Sequence, residues 1–64
     1  MSNVIASRVI NEYRVEITDQ YVLVDGRATD HVEVREDGKI IMYDQVFDTA
    51  ESLLDDIAPS MYLT

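Results

Sequence analysis

From Tyr13 onward the chain alternates. Tyr13, Val15 and Ile17 fall on one side of an extended segment, and Arg14, Glu16 and Thr18 fall on the other. That period of two is the pattern of a half-buried strand. Carried backwards, the same parity puts Val9 and Asn11 with the apolar set and Arg8, Ile10 and Glu12 with the polar set, so one strand is predicted over residues 9–18. Asp19-Gln20 reads as a turn. Tyr21-Val22-Leu23-Val24 is a short β-rich run that stops at the turn dipeptide Asp25-Gly26. A third strand is predicted over residues 30–35, with Val32 and Val34 inward. Asp37-Gly38 follows it, and Asp-Gly between two strand patterns is a strong hairpin signal. The partner strand of that hairpin is predicted over residues 39–43.

Helical periodicity takes over near Asp48. Leu53, Leu54 and Ile57 make one apolar stripe, with Ala50 on the same side. Asp48 and Glu51 have the spacing of an N-cap and its N3 partner. Pro59 is expected to stop the helix, which gives a helix over residues 49–58. Phe47 is placed to anchor that helix onto the sheet. The tail from Ser60 carries Met61, Tyr62 and Leu63, and it either packs back on the core or meets a partner. Strands first and one helix last, with no βαβ alternation, predict an α+β fold: a small antiparallel sheet of three to four strands with one C-terminal helix packed on one face. The 64 residues read as a single domain, residues 1–64.

Composition narrows the function. The chain holds 13 acidic and 5 basic side chains and one His, a formal charge of −8, but 47% of it is hydrophobic. The charge alone would suggest disorder, and the apolar content argues for a folded domain. A domain of this size buries only about 60% of its unfolded surface, so its stability margin is thin and a homodimer or a bound partner would add to it. Without Cys there is no disulfide and no thiolate metal site. Neutralising nucleic-acid phosphates or an anionic membrane surface requires surplus Lys and Arg, and here the balance runs the other way. The start, Met1-Ser2-Asn3, carries no positive charge, and Ser7, Arg8 and Asn11 interrupt the apolar positions that follow, so no signal peptide is read. No run approaches the roughly 18 apolar residues of a membrane span. A cytoplasmic location is expected.

Catalysis has little to work with. His31 is the single His and sits in a strand pattern, pointing away from Val32 and Val34. Ser2, Ser7, Ser52 and Ser60 have no readable base beside them, as a nucleophile would require. A calcium loop would need the D-x-[DN]-x-[DN]-G pattern, but at Asp25-Gly26 and Asp37-Gly38 the Gly follows the Asp directly. No enzyme activity, no metal and no cofactor are expected.

The layout of charge is more specific. All five basic residues lie at or before Lys39, where eight acids leave a net −3. Beyond it stand five acids and no base: Asp44, Asp48, Glu51, Asp55 and Asp56. Asp48, Glu51 and Asp55 are spaced to share a helix face. The helix dipole favours acids in a first turn but disfavours Asp55 and Asp56 in a last one, by a few tenths of a kcal/mol each. Asp55 also faces Glu51 at i+4, a repulsion of about 0.2–0.5 kcal/mol. Unfavourable charges kept in a marginal domain suggest use, against the plainer reading of a solvated face kept for solubility. The hairpin adds Glu33, Glu36 and Asp37. A 64-residue domain has a radius of gyration near 11 Å and a diameter of roughly 28 Å. Eight net charges over that span amount to about one per 3.5 Å, close to the ~3.4 Å charge spacing of a DNA strand.

The stretch Val32-Glu33-Val34-Arg35-Glu36-Asp37-Gly38-Lys39-Ile40-Ile41-Met42-Tyr43-Asp44, followed by Phe47-Asp48-Thr49-Ala50-Glu51-Ser52-Leu53-Leu54, resembles in style the small acidic anti-CRISPR proteins encoded by phages. Those proteins share no common motif, so no residue is carried over by alignment. The resemblance implies a mechanism: an acidic surface docks where a CRISPR effector complex holds DNA or guide RNA, inside the bacterial host, and blocks binding. The expected partner is a basic protein or ribonucleoprotein surface, met by Asp44, Asp48, Glu51, Asp55 and Asp56 with Glu33, Glu36 and Asp37. Two other readings fit the chain. It also resembles the compact antitoxins that neutralise a basic RNA-cleaving toxin. Alternatively, it is a structural domain that dimerises through Tyr21, Tyr43, Met61 and Tyr62, residue types enriched in interface cores.

Overall fold

The chain turns back on itself at Asn11-Glu12, inside the segment that the alternation reads as one strand. Ile10 stands opposite Tyr13, and between them Asn11 and Glu12 both have positive φ, 50° and 71°. This is the two-residue hairpin turn whose twist matches that of the flanking strands. The predicted strand over residues 9–18 is therefore two strands, β1 (Val4–Ile10) and β2 (Tyr13–Thr18). Because the turn puts Ile10 and Tyr13 on the same side, the inward parity switches across it. Ala6, Arg8 and Ile10 share a face with Ile17, Val15 and Tyr13. Val9, expected with the apolar set, is 69% exposed, and Ile10 is 2% exposed. The lack of Gly in Asn11-Glu12 hid this turn.

The computed structural model describes residues 3–63. It shows an α+β fold with two antiparallel sheets and one C-terminal helix. β1, β2, β3 (Tyr21–Val24) and β4 (Arg27–His31) form a four-stranded meander in sequence order. β5 (Glu33–Val34), β6 (Ile40–Met42) and β7 (Gln45–Phe47) form a second, three-stranded sheet. Helix α1 (Ala50–Tyr62) packs against β1 and β2, and its first turns meet β7.

The turns follow their residues. Thr18 ties the bend after β2: its Oγ accepts from the Gln20 and Tyr21 amides and donates to the Tyr21 carbonyl, which satisfies a buried hydroxyl. Asp25 and Gly26, with φ 49° and 82°, join Val24 to Arg27. The predicted strand over residues 30–35 is corrected: β4 begins at Arg27, and the chain leaves the first sheet at Val32, whose amide bonds the Gln20 carbonyl and whose side chain is fully buried. The Asp-Gly hairpin forms as expected, with Gly38 at φ 88° and its amide on the Arg35 carbonyl. A third correction falls on residues 39–43. β6 stops at Met42, Tyr43 and Asp44 take positive φ of 52° and 63°, and β7 runs back beside β6. As at Asn11-Glu12, the turn has no Gly to announce it.

The helix starts one residue later than the Asp48 cap implies and runs past Pro59 to Tyr62. Thr49 is the N-cap, in extended conformation: its Oγ accepts from the Ser52 amide at 3.1 Å, and the Ser52 hydroxyl accepts from the Thr49 amide at 3.3 Å. Asp48 has its own N3 partner in Glu51, but Glu51 is bonded to Arg8 and Asp48 lies beside Lys39, so the reciprocal pair is Thr49 with Ser52. Beyond Pro59 the last turn is held from outside. The Asn11 side-chain amide donates to the Met61 carbonyl at 2.9 Å, and Met61 packs on the core. These contacts offset the hydrogen bond that Pro removes.

Among the described residues, nine side chains form the core: Ile10, Val15, Ile17, Val22, Val32, Ile40, Met42, Leu53 and Leu54. Phe47 and Ile57 pack against them from the flank, the anchoring role expected of Phe47. Each buried Leu or Ile contributes roughly 1.5–3 kcal/mol. A chain of this length has roughly 3–10 kcal/mol in total, so few of these contacts are dispensable.

Candidate functional site

The acidic helix face is real in sequence but is not free. Arg8 rises from the helix-covered face of β1 and forks: Nη1 donates to Asp55 Oδ1 and Nη2 to Glu51 Oε2, each at 2.8 Å. The two carboxylates hold the guanidinium proton more tightly, Asp55 first, and raise the Arg8 pKa above its ordinary value. Asp48 lies 3.6 Å from Lys39 Nζ. Three acids expected to serve a partner are therefore engaged within the molecule. The sequence could not show this, because Arg8 lies far from the helix along the chain.

The remaining expected acids occupy turns, strand ends and the helix. Asp44 is the second residue of the β6–β7 turn, and Glu36 and Asp37 form the β5–β6 turn, where Asp37 Oδ1 accepts from the Lys39 amide at 3.0 Å. Glu33 opposite Ile41 is exposed on the small sheet. Asp56 is exposed on α1 and takes no part in the Arg8 pairs. Asp25 also has a structural task, its Oδ1 accepting from the Arg14 amide at 2.9 Å.

Asp56 leads to a groove of about 330 Å³ between α1, β3–β4 and the β6–β7 turn. Its floor is apolar, with Val24, Met42, Ile57 and Met61, and its rim carries Asp30, Tyr43 and Asp56. The Tyr43 hydroxyl donates to Asp30 Oδ1 and so bridges the second sheet to β4. That bond keeps the phenol protonated and raises its pKa above the usual tyrosine value. Tyr43 itself is 76% exposed. Sequence reasoning missed Asp30, a lone acid in a strand pattern, and read Tyr43 only as a candidate dimer contact. Two other depressions lie elsewhere on the surface. One of about 420 Å³ lies beside Arg27, and one of about 490 Å³ is a shallow surface at residues 34–37.

Of the proposed dimer residues, Tyr21 meets the His31 ring edge-on with centroids 5.8 Å apart, and Met61 packs inward; Tyr43 and Tyr62 are exposed. Among the described residues, no group of three His, Cys, Asp or Glu side chains is arranged to hold a metal ion. No described helix is long and apolar enough to cross a membrane.

No protein-family model, curated protein or solved structure matches the chain.

Proposed function

We propose that this protein is an inhibitor that acts by binding: its acidic surface occupies a basic nucleic-acid-binding site on a bacterial effector, a CRISPR complex in the first instance, and excludes DNA. The place of action is the cytoplasm of the host cell. One observation carries the reading. Of the 13 acids, four stand in ion pairs (Glu16, Asp48, Glu51 and Asp55), which leaves nine outside them. Along a body 32 Å long, those nine amount to about one per 3.6 Å, or about one per 4.6 Å net of Arg27 and Arg35, which also stand outside the ion pairs, against ~3.4 Å per phosphate along a DNA strand. Those nine are Glu12, Asp19, Asp25, Asp30, Glu33, Glu36, Asp37, Asp44 and Asp56, so the charge outside ion pairs lies on turns and strands and at Asp56, instead of along the Glu51–Asp55 side of the helix.

The test is phage plaquing on bacteria carrying defined CRISPR or restriction systems, with and without this chain. Plaquing restored in one system, and lost again with Asp44→Lys plus Asp56→Lys, supports the reading. No restoration in any system overturns it. A second reading, a dimerising domain, is favoured by β1. This is a seven-residue edge strand with Val4, Ile5 and Val9 exposed, in a stretch with no acid before Glu12. Open edges invite strand pairing. A concentration-dependent sedimentation coefficient would favour that reading, and its absence at high concentration would remove it.

A further inference from the structure

The groove beside α1 has a chemistry of its own. β4 and α1 both line it, and each contributes one carboxylate, Asp30 and Asp56. Among the described residues neither acid forms an ion pair: Arg8, Arg14 and Lys39 are paired elsewhere, Arg27 lines the depression beside it, and Arg35 lines the one at residues 34–37. The groove has an apolar floor, and over it stands an exposed aromatic ring fixed by its hydroxyl.

We propose that this groove receives an arginine side chain from the basic partner. The guanidinium sits between Asp30 and Asp56 against the Tyr43 ring, and the aliphatic stem lies on Val24, Met42 and Met61. The inference rests on the reading above in taking the partner to be basic, and it names the point of contact. Charge complementarity selects a cation, and the apolar floor selects a long side chain with a hydrocarbon stem over a bare ion. The ring and the two separated carboxylates favour arginine over lysine, because a planar guanidinium stacks on aromatic faces and donates in several directions at once. The Tyr43 hydroxyl uses only Oδ1 of Asp30, which leaves the second oxygen for the ligand.

Tyr43 is also an unusual choice for its place. At φ 52° the first position of this turn suits Asn, Asp or Gly, and a bulky ring there is uncommon. An Asn at 43 would serve the turn better and leave the groove without its ring, so Tyr43→Asn separates a binding role from a folding role.

The experiment is a titration of the ¹⁵N-labelled full chain with Nα-acetyl-arginine amide, followed by amide chemical shifts. Nα-acetyl-citrulline amide, of the same shape but uncharged, is the control. The expected result is saturable shifts confined to residues around 22–30, 42–44 and 56–61, with citrulline binding at least about tenfold more weakly, as the loss of a charge-assisted hydrogen bond requires. Asp30→Asn and Asp56→Asn should each weaken arginine binding by a similar factor. Tyr43→Asn should weaken it while the melting temperature changes little, the relief at the turn offsetting the lost bond to Asp30. Equal response to citrulline, shifts spread over all the acidic turns, or binding unchanged in both Asn variants of the acids would each overturn the proposal. Saturable groove binding without any rescue of plaquing would sustain the groove and discard the CRISPR target. Rescue of plaquing by the Asp30→Asn, Asp56→Asn double variant as well as by the native chain would discard the groove and sustain the target.

Discussion

The Arg8 guanidinium lies 2.8 Å from the Asp55 carboxylate, although 47 positions separate the two residues in the chain. With its second nitrogen on Glu51, Arg8 fastens the first strand to the last helix. The two acids stand one turn apart on α1 and would repel each other without it. A pattern that looks like an uncompensated acidic stripe is thus half of a tertiary clamp.

Arg8→Gln should therefore lower the melting temperature, and lower it more at low salt than at high. Without the cation, the Glu51–Asp55 repulsion is exposed to solvent and screened by ions. Adding Glu51→Gln and Asp55→Asn to Arg8→Gln should recover part of the loss. Thermal melts at two salt concentrations check this. An equal loss at both salts would mean that the Arg8 stem, and not its charge, carries the effect. Because the Asp55 and Glu51 carboxylates raise the folded pKa above the ordinary arginine value, the contribution is complete below that value and disappears only beyond it, so no acid-side change is expected from Arg8 itself.

Tyr43 gives the alkaline counterpart. Its hydroxyl donates to Asp30, and the bond raises its pKa above the ordinary 10.0. A group whose folded pKa is raised contributes stability that is whole below the unfolded value and is lost as pH climbs through the folded one. The Tyr43–Asp30 contribution is thus present at neutral pH and fades above about pH 10, where a phenolate would face a carboxylate. Among the 4 tyrosines, one should titrate late by phenolate absorbance, and Tyr43→Phe should remove that late step. A late step that survives in Tyr43→Phe would place the perturbed phenol elsewhere.

The legible parts of this fold are those whose chemistry is local. Asp25-Gly26 and Asp37-Gly38 announce their turns because Gly accepts positive φ without strain. Leu53, Leu54 and Ile57 announce the helix because their period is its own. What stayed hidden depends on partners distant in sequence or on turns made without Gly. Asn11-Glu12 and Tyr43-Asp44 carry positive φ on ordinary side chains, so the first hairpin read as one strand and β7 was missed. The site suffered similarly. Asp44 and Asp56 were visible as acids, but nothing local joins Asp56 to Asp30 and Tyr43, or removes Glu51 and Asp55 by giving them to Arg8.

The cap offers a sharp test of one such shift. Thr49 and Ser52 satisfy each other's amides, while Asp48 points to Lys39. Thr49→Ala should cost about 1 kcal/mol, the usual value of a lost N-cap, or roughly 4–8 °C in melting temperature for a domain of this size. Asp48→Ala should cost far less, since it removes only an exposed ion pair. If the order were reversed, the helix would start at Asp48, and the cap seen here would be incidental.

The β1–β2 turn makes the opposite prediction, a gain. Glu12 sits at φ 71° in the second position of a turn that favours Asn-Gly. An L side chain in that region costs roughly 1–2 kcal/mol, and Gly gives back up to about 1 kcal/mol of that relief in unfolded-state entropy. Glu12→Gly should therefore raise stability by about 0.5–1 kcal/mol and complete the Asn-Gly pair, with Asn11 left free to hold the Met61 carbonyl. It also removes one of nine acids outside the ion pairs, which relieves self-repulsion in a chain of charge −8. Glu12→Gln separates the two sources: it removes the charge and keeps the strain, so any gain it shows is electrostatic and the remainder belongs to the backbone. Urea midpoints for the three proteins decide the question. A loss of stability in Glu12→Gly would show that the two residues do not form the turn described here, and that β1 and β2 are one strand after all.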